Sequence, residues 1–344
     1  MKTKVCFTVD TELSMGGALE DPGCRPVPAS RHVFCRSGNE EFGIPLIVRF
    51  LQRYGLHATF FVETLGTCCL GDADTQSTFE FLLHNQQDVQ LHIHPVFHYY
   101  AELVKARAEG REYQVPGHTD ILGHYPADIQ QALLSEGIDY FQKFSGYRPV
   151  AFRAGCYAAS RATLRGLASL GISVDSSLNP CYPELSFPGE TLEPNLAQRI
   201  EGVWELPVTV VRTPLPEGGH GYKFADCSSL GVAEIRRMLD AAAQAGQEYF
   251  VIVFHSFSAA KPKDVEWREM RPNRLVIRRL EELFRYLAEN SDRFQVSTMA
   301  AIAEELSMRR PEPGKVSPAV VADLGLLQAS VRKVMQLVNN VYWV

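Results

Sequence analysis

KVCFTVDTE, residues 4–12, reads as a β-strand that runs straight into two acids. Its β-branched and aromatic residues suit a pleated, half-buried surface. Asp10 and Glu12 stand two residues apart, so their side chains leave the strand on one face. Two acids at a strand end have three uses: they face solvent, they bind a cation, or one of them serves as a base of tuned pKa.

Working outward, seven further runs have the same character: ATFFVE (58–63), DVQLHI (88–93), PVAFR (149–153), GISVDS (171–176), VWELPVTV (203–210), YFVIVF (249–254) and RFQV (293–296). Segments of helical spacing lie between them. Ile44, Ile47, Val48 and Leu51 share a face, with Pro45 suited to a first turn and Gly55 to a C-cap. Residues 127–144, 160–170, 231–245 and 272–289 read likewise as helices. Strand and helix alternating about eight times predict an α/β fold with a parallel sheet, closed into a (β/α) barrel of seven or eight units. In such a barrel the working residues sit at the C-terminal ends of the strands.

Two long stretches interrupt the rhythm: 13–42, rich in Gly, Pro, Cys and Ser, and 99–126, which carries His118 and His124. They read as insertions of the binding-loop kind. The barrel domain is expected over 1–307. Residues 308–344 read as a linker and an amphipathic C-terminal helix, with the stripe Val320, Leu324, Leu327, Val331, Val334 and Val338 available to pack on the barrel or on a second copy in a homo-oligomer.

The whole chain narrows the function further. Its 344 residues carry a net charge of −6, with 46% hydrophobic and 22% charged residues, which describes a globular enzyme and argues against nucleic acid as a partner. No apolar run reaches the length of a transmembrane helix, and the N-terminus lacks the apolar core of a secretory signal. Eight cysteines form no CxxC pair and read as reduced thiols. A soluble, cytoplasmic protein is expected.

At other strand ends stand His92 and His94, spaced as the acids are, with His98 four residues on; Arg153 ends the fourth run and His255 the seventh. Three of the ten histidines fall within seven residues. Imidazoles on one face beside acids from another strand suit a divalent cation such as zinc. A barrel would aim all these ends at one mouth, and the collection supports metal-assisted hydrolysis.

These residues resemble the polysaccharide deacetylases with a NodB homology domain. TVDTE (8–12) is similar to that family's acidic first motif, EFGIP (41–45) and ATFF (58–61) to the segment joining its first two strands, LHIHP (91–95) to its histidine motif, FRAGCY (152–157) to its arginine motif, and VIVFH (251–255) to its final histidine motif. The resemblance implies a distorted (β/α) barrel that removes an N-acetyl group from a carbohydrate, with zinc, cobalt or nickel as cofactor. It implies Asp10 as base, Glu12 with two histidines as metal ligands, Arg153 orienting Asp10, the backbone N–H of Tyr157 facing the oxyanion, and His255 as acid. Asp175 is expected to extend the polar network by bonding Arg153 or His255. The first motif departs from the family's adjacent aspartates, which leaves an exchange of roles between Asp10 and Glu12 open. The family's histidines stand four apart, so the pair is His92 with His94, or one of these with His98. Two other activities stay open: hydrolysis of a cyclic amide, as in allantoinase-like branches, and a catalytically silent sugar-binding domain.

Overall fold

The computed structural model describes residues 2–117, 119–215 and 219–309, together with 321–323, 325 and 330. Each apolar run becomes a strand: β1 (Thr3–Thr11), β2 (Thr59–Glu63), β3 (Asp88–Ile93), β4 (Ala151–Ala154), β5 (Val174–Asp175), β6 (Val203–Glu205), β7 (Tyr249–His255) and β8 (Phe294–Val296). They pair in parallel in the order β7-β1-β2-β3-β4-β5-β6, with β8 beside the start of β1 and an antiparallel strand, Gln198–Ile200, outside β6. The sheet curls into a half-barrel. Irregular backbone, not a ladder, joins its far side to β7: Thr209 N–H donates to Val251 O at 3.1 Å and Val253 N–H to Ala225 O at 2.9 Å. This is the distorted barrel that the family resemblance implies, in place of the regularly closed barrel expected from the alternation alone.

Helices α1 (Ile44–Tyr54), α2 (Asp72–His84), α3 (Pro95–Ala108), α4 (Ala127–Ser145), α5 (Arg161–Ser169), α6 (Val232–Ala245), α7 (Arg274–Glu289) and α8 (Met299–Met308) punctuate the strands. α1 has Pro45 in its first turn and ends at Gly55, whose φ of 64° lets its N–H turn back onto Gln52 O. The two-residue period of the strands then sorts their side chains. On β1, Val5, Phe7 and Val9 join the large core shared with the surrounding helices, whereas Cys6 faces inward with Phe61, Ala151, Val174 and Val251. α8 adds Met299, Ile302, Ala303 and Leu306 to that inner cluster and plugs the base of the barrel. Thr8 and Asp10 continue the inward face toward the mouth.

Three sequence expectations are corrected. Residues 99–108 are not irregular: they complete α3, which buries Val96, Phe97, Tyr100, Leu103 and Ala106 at helical spacing, and the loop proper runs from 109 to 126. The run 203–210 is not one strand. Pro207 cannot donate to a ladder, so β6 ends at Glu205, and Val210–Pro214 forms a separate hairpin with His220–Phe224. α2 and α8 were not foreseen at all. The expected C-terminal helix and its stripe lie outside the described residues. Ala322 and Asp323, however, sit against the hairpin, where Arg212 N–H donates to Ala322 O at 2.9 Å and its guanidinium pairs with Asp323. All eight cysteines are free thiols. Among the described residues, no helix is long and apolar enough to cross a membrane.

Candidate metal centre

Parallel register brings the chemistry to one end. Asp10 on β1 lies opposite His255 on β7, and His92 on β3 lies between Glu63 on β2 and Arg153 on β4. Glu12, one residue beyond β1, reaches across this mouth. Its Oε2 is 2.6 Å from His94 Nε2 and 3.8 Å from His92 Nε2, and its Oε1 is 3.5 Å from His255 Nε2. Burial alone would raise the Glu12 pKa, but the facing imidazoles of His92 and His94 outweigh it and hold the carboxyl well below its usual range.

Each histidine is aimed by its other nitrogen. His92 Nδ1–H donates to Arg153 O at 2.7 Å, and His94 Nδ1–H donates to Asp120 Oδ2 at 2.8 Å. Both Nε2 atoms are thereby turned inward and buried, facing Glu12 Oε2 without a well-directed hydrogen bond to it or to any other group. Orphaned imidazole nitrogens of this kind are what a bound cation satisfies, and histidine ligands are oriented by such outer acceptors. The ligating atoms of Glu12, His92 and His94 all lie within 4.8 Å of one another. Two imidazoles and a carboxylate fit zinc or a similar divalent ion, with room for water or substrate. Burial opposes charge on His94, yet Asp120 and Glu12 together keep its pKa well above the ordinary value. A cation taking this nitrogen must displace that proton.

His98 does not join them. As part of α3 it turns to α4, where Nδ1 donates to Glu136 Oε2 at 2.8 Å. The pair compatible with the geometry is His92 with His94, because the backbone stays extended one residue past β3 and keeps both side chains on one face. Asp120 was missed by sequence reasoning. It stands in a long loop with no periodicity to mark it, and the only signal was the loop's length. His118 lies outside the described residues, and His124 is exposed on the turn Leu122–His124. Gly155 has a geometric role: a Cβ there would meet His94 Nδ1 at 2.6 Å. Next to it, Cys156 and Tyr157 adopt φ of 54° and 58°, a strained pair at the lip of the site.

Arg153 is fully buried and its donors are spent on this mouth. Nη1 donates to Asp10 Oδ1 at 2.7 Å and to Thr8 Oγ1 at 2.8 Å, Nε to Ser176 O at 2.9 Å, and Nη2 to Ser176 Oγ at 3.0 Å. The Phe61 ring lies beneath the guanidinium at 4.5 Å. The expected bond from Asp175 to Arg153 or His255 is absent. Val174 faces the inner cluster, so period two turns Asp175 outward and gives Ser176 the inward place. Asp175 accepts from Ser177 Oγ at 2.7 Å and lies beside Glu205, its register partner. Burial, and for Glu205 the neighbouring Asp175, raise both carboxyls, well above the usual range in Glu205.

His32 is a second residue that the sequence did not single out. It comes from the 13–42 segment, is buried, and its Nδ1–H donates to Glu12 O at 2.7 Å. Its ring packs on Phe257 at 4.4 Å and Trp267 at 4.6 Å, and burial lowers its pKa to about 4, so it is neutral. The first insertion therefore folds back to brace the acid at the centre of the site.

No family profile matches the chain, and no curated protein is similar to it. Solved structures are. A candidate polysaccharide deacetylase from Mycobacterium smegmatis superposes with a TM-score of 0.54 at 19% identity, over 90% of this chain and 95% of that one. The chain has the polysaccharide deacetylase fold. Looser likenesses include the family 4 carbohydrate esterase from Streptomyces lividans in complex with acetate, at a TM-score of 0.42 and 12% identity over 93% of this chain and 98% of that one. The polysaccharide deacetylase fold of this chain carries its acids at the end of β1, its imidazoles at the end of β3, and its insertions at the mouth.

Proposed function

We propose that the protein is a metal-dependent hydrolase that removes an N-acetyl group from a carbohydrate. One observation carries this: two buried imidazole Nε2 atoms and the Glu12 carboxylate converge, and each imidazole is aimed by an acceptor on its far nitrogen. Glu12, His92 and His94 would hold the ion, with zinc the best match to the donor set and cobalt or nickel as substitutes. When bound, a divalent cation polarises the acyl carbonyl and acidifies the attacking water.

The remaining steps belong to side chains. Asp10, fixed by the hydrogen bond from Arg153, takes the proton from the water. His255, across the register from Asp10 and partly exposed at the mouth, returns a proton to the departing amine nitrogen. The ion pair with Arg153 favours Asp10 as base and leaves Glu12, which touches both imidazoles, as ligand. Asp175 has no part in proton transfer in this reading, since its carboxylate faces away from the mouth.

The test is acetate release from a panel of N-acetyl sugars and oligomers with zinc, cobalt or nickel added. Asp10→Asn and His255→Ala should each lower turnover by roughly 10²- to 10⁴-fold with metal content unchanged. Full activity in both variants would refute the assignment. Ring opening of a cyclic amide without acetate release would move the protein to another class of C–N hydrolase.

A further inference from the structure

Two aromatic walls flank the mouth. On the β7 side, Phe257 lies 5.2 Å from His255 and 5.6 Å from Trp267. On the β4 side, Tyr157 stacks on Tyr182 at 5.8 Å with 10° between the planes, and Phe224 meets both rings at 6.0 Å. Tyr157 is buried, but Tyr182 is 39% exposed. One face of Tyr182 is covered by Tyr157, so its exposure lies on the outward face and the rim.

This open ring connects to the metal side by a short path. Tyr157 follows Cys156, whose Sγ is 3.5 Å from Asp120 Oδ2, the oxygen that aims His94. The backbone that carries this ring is held by local hydrogen bonds. Tyr182 N–H donates to Asn179 O at 3.0 Å, and its own carbonyl accepts from Leu185 N–H at 3.1 Å and Ser186 N–H at 2.8 Å. A flat, apolar, pre-ordered face beside a polar mouth suits one ligand chemistry well: a pyranose ring, which offers an apolar C–H face with hydroxyls around its edge. Aromatic faces carry partial negative charge that attracts such C–H groups, and immobilising the ring beforehand lowers the entropy lost on binding.

We propose that Tyr182, backed by Tyr157 and Phe224, is the stacking platform for a sugar ring of a neutral saccharide whose reacting amide reaches Glu12, His92 and His94. The proposal rests on the deacetylase reading for the identity of the reacting group alone. Binding of the saccharide is a separate matter and is tested separately.

The experiment titrates the zinc-loaded protein with two probes, a tetramer of N-acetylglucosamine and a tetramer of glucose, by calorimetry. Tyr182→Ala should weaken binding of the acetylated tetramer roughly tenfold, the scale of one lost ring contact. Tyr182→Phe and Tyr182→Trp should stay within about twofold of wild type, since each keeps an aromatic face. Zinc content and melting temperature should be the same in all four proteins, which separates a platform from a merely structural tyrosine. Equal affinity of Tyr182→Ala and wild type would overturn the proposal, as would failure of wild type to bind either tetramer. Saccharide binding that depends on Tyr182, without acetate release from any N-acetyl sugar, would uphold the platform and sink the deacetylase reading instead.

Discussion

At the scale of single residues the site is a problem of orientation, and Asp120 solves half of it. Its carboxylate fixes the tautomer of His94 from outside the donor set. Asp120→Ala should weaken zinc binding by about 10- to 100-fold with little change in stability, as read by competition with a chromogenic chelator. Glu63 poses a different problem. It is buried beside His92, accepts from Leu65 and Gly66 N–H through Oε1, and leaves Oε2 without a partner. Burial pushes its pKa from 4.5 up to about 8, against the lowering effects of His94 and the two backbone N–H groups. The folded state therefore holds a proton that the unfolded chain releases. Stability from this group is complete below the unfolded pKa and is lost as pH rises through the window from 4.5 to about 8. In the metal-free protein Glu63→Gln should make the fall in unfolding free energy across that window, read from urea melts, shallower by at most about 1.4 kcal/mol per pH unit. An unchanged slope would mean that Glu63 is ionised in the fold.

At the scale of elements, the strand ends are only as well placed as the helices that follow them. α5 begins at Ser160, whose side chain accepts from Thr163 N–H while Thr163 Oγ1 accepts from Ser160 N–H, a reciprocal cap directly downstream of the strained Gly155–Tyr157 lip. Ser160→Ala should cost about 1 kcal/mol of global stability, measured by urea melts. A silent substitution would show that the Thr163 side suffices. The short helical turn Ala29–His32 does similar work in the opposite direction, bringing His32 onto the carbonyl of Glu12 from an otherwise irregular stretch.

At the scale of the whole molecule the barrel is stoppered from below and open above. α8 supplies the lower plug through Met299, Ile302 and Leu306, all nearly inaccessible to water. Ile302→Ala should destabilise the fold by about 2–5 kcal/mol, since the surrounding strands cannot collapse into the void. Denaturant melts at neutral pH would read it, and a loss under about 1 kcal/mol would mean that α8 packs loosely. The irregular joint between Thr209, Ala225 and β7 closes the circuit where Pro207 interrupts the ladder.

The sequence by itself determined the eight strands, five of the helices and the inward acids and imidazoles. Period two and period 3.6 are local properties, and side chains obey them wherever a strand or helix forms. Asp10, Glu12, His92, His94, Arg153 and His255 were legible for that reason. Only the tertiary structure decided which histidine faces Glu12, that Asp175 looks away from Arg153 while Ser176 looks toward it, and that Asp120 and His32 brace the centre. Those contacts join residues 20 to 145 positions apart, across loops without periodicity. Their pairing follows from how the curled sheet brings distant strand ends and insertions to one mouth, which no local spacing encodes.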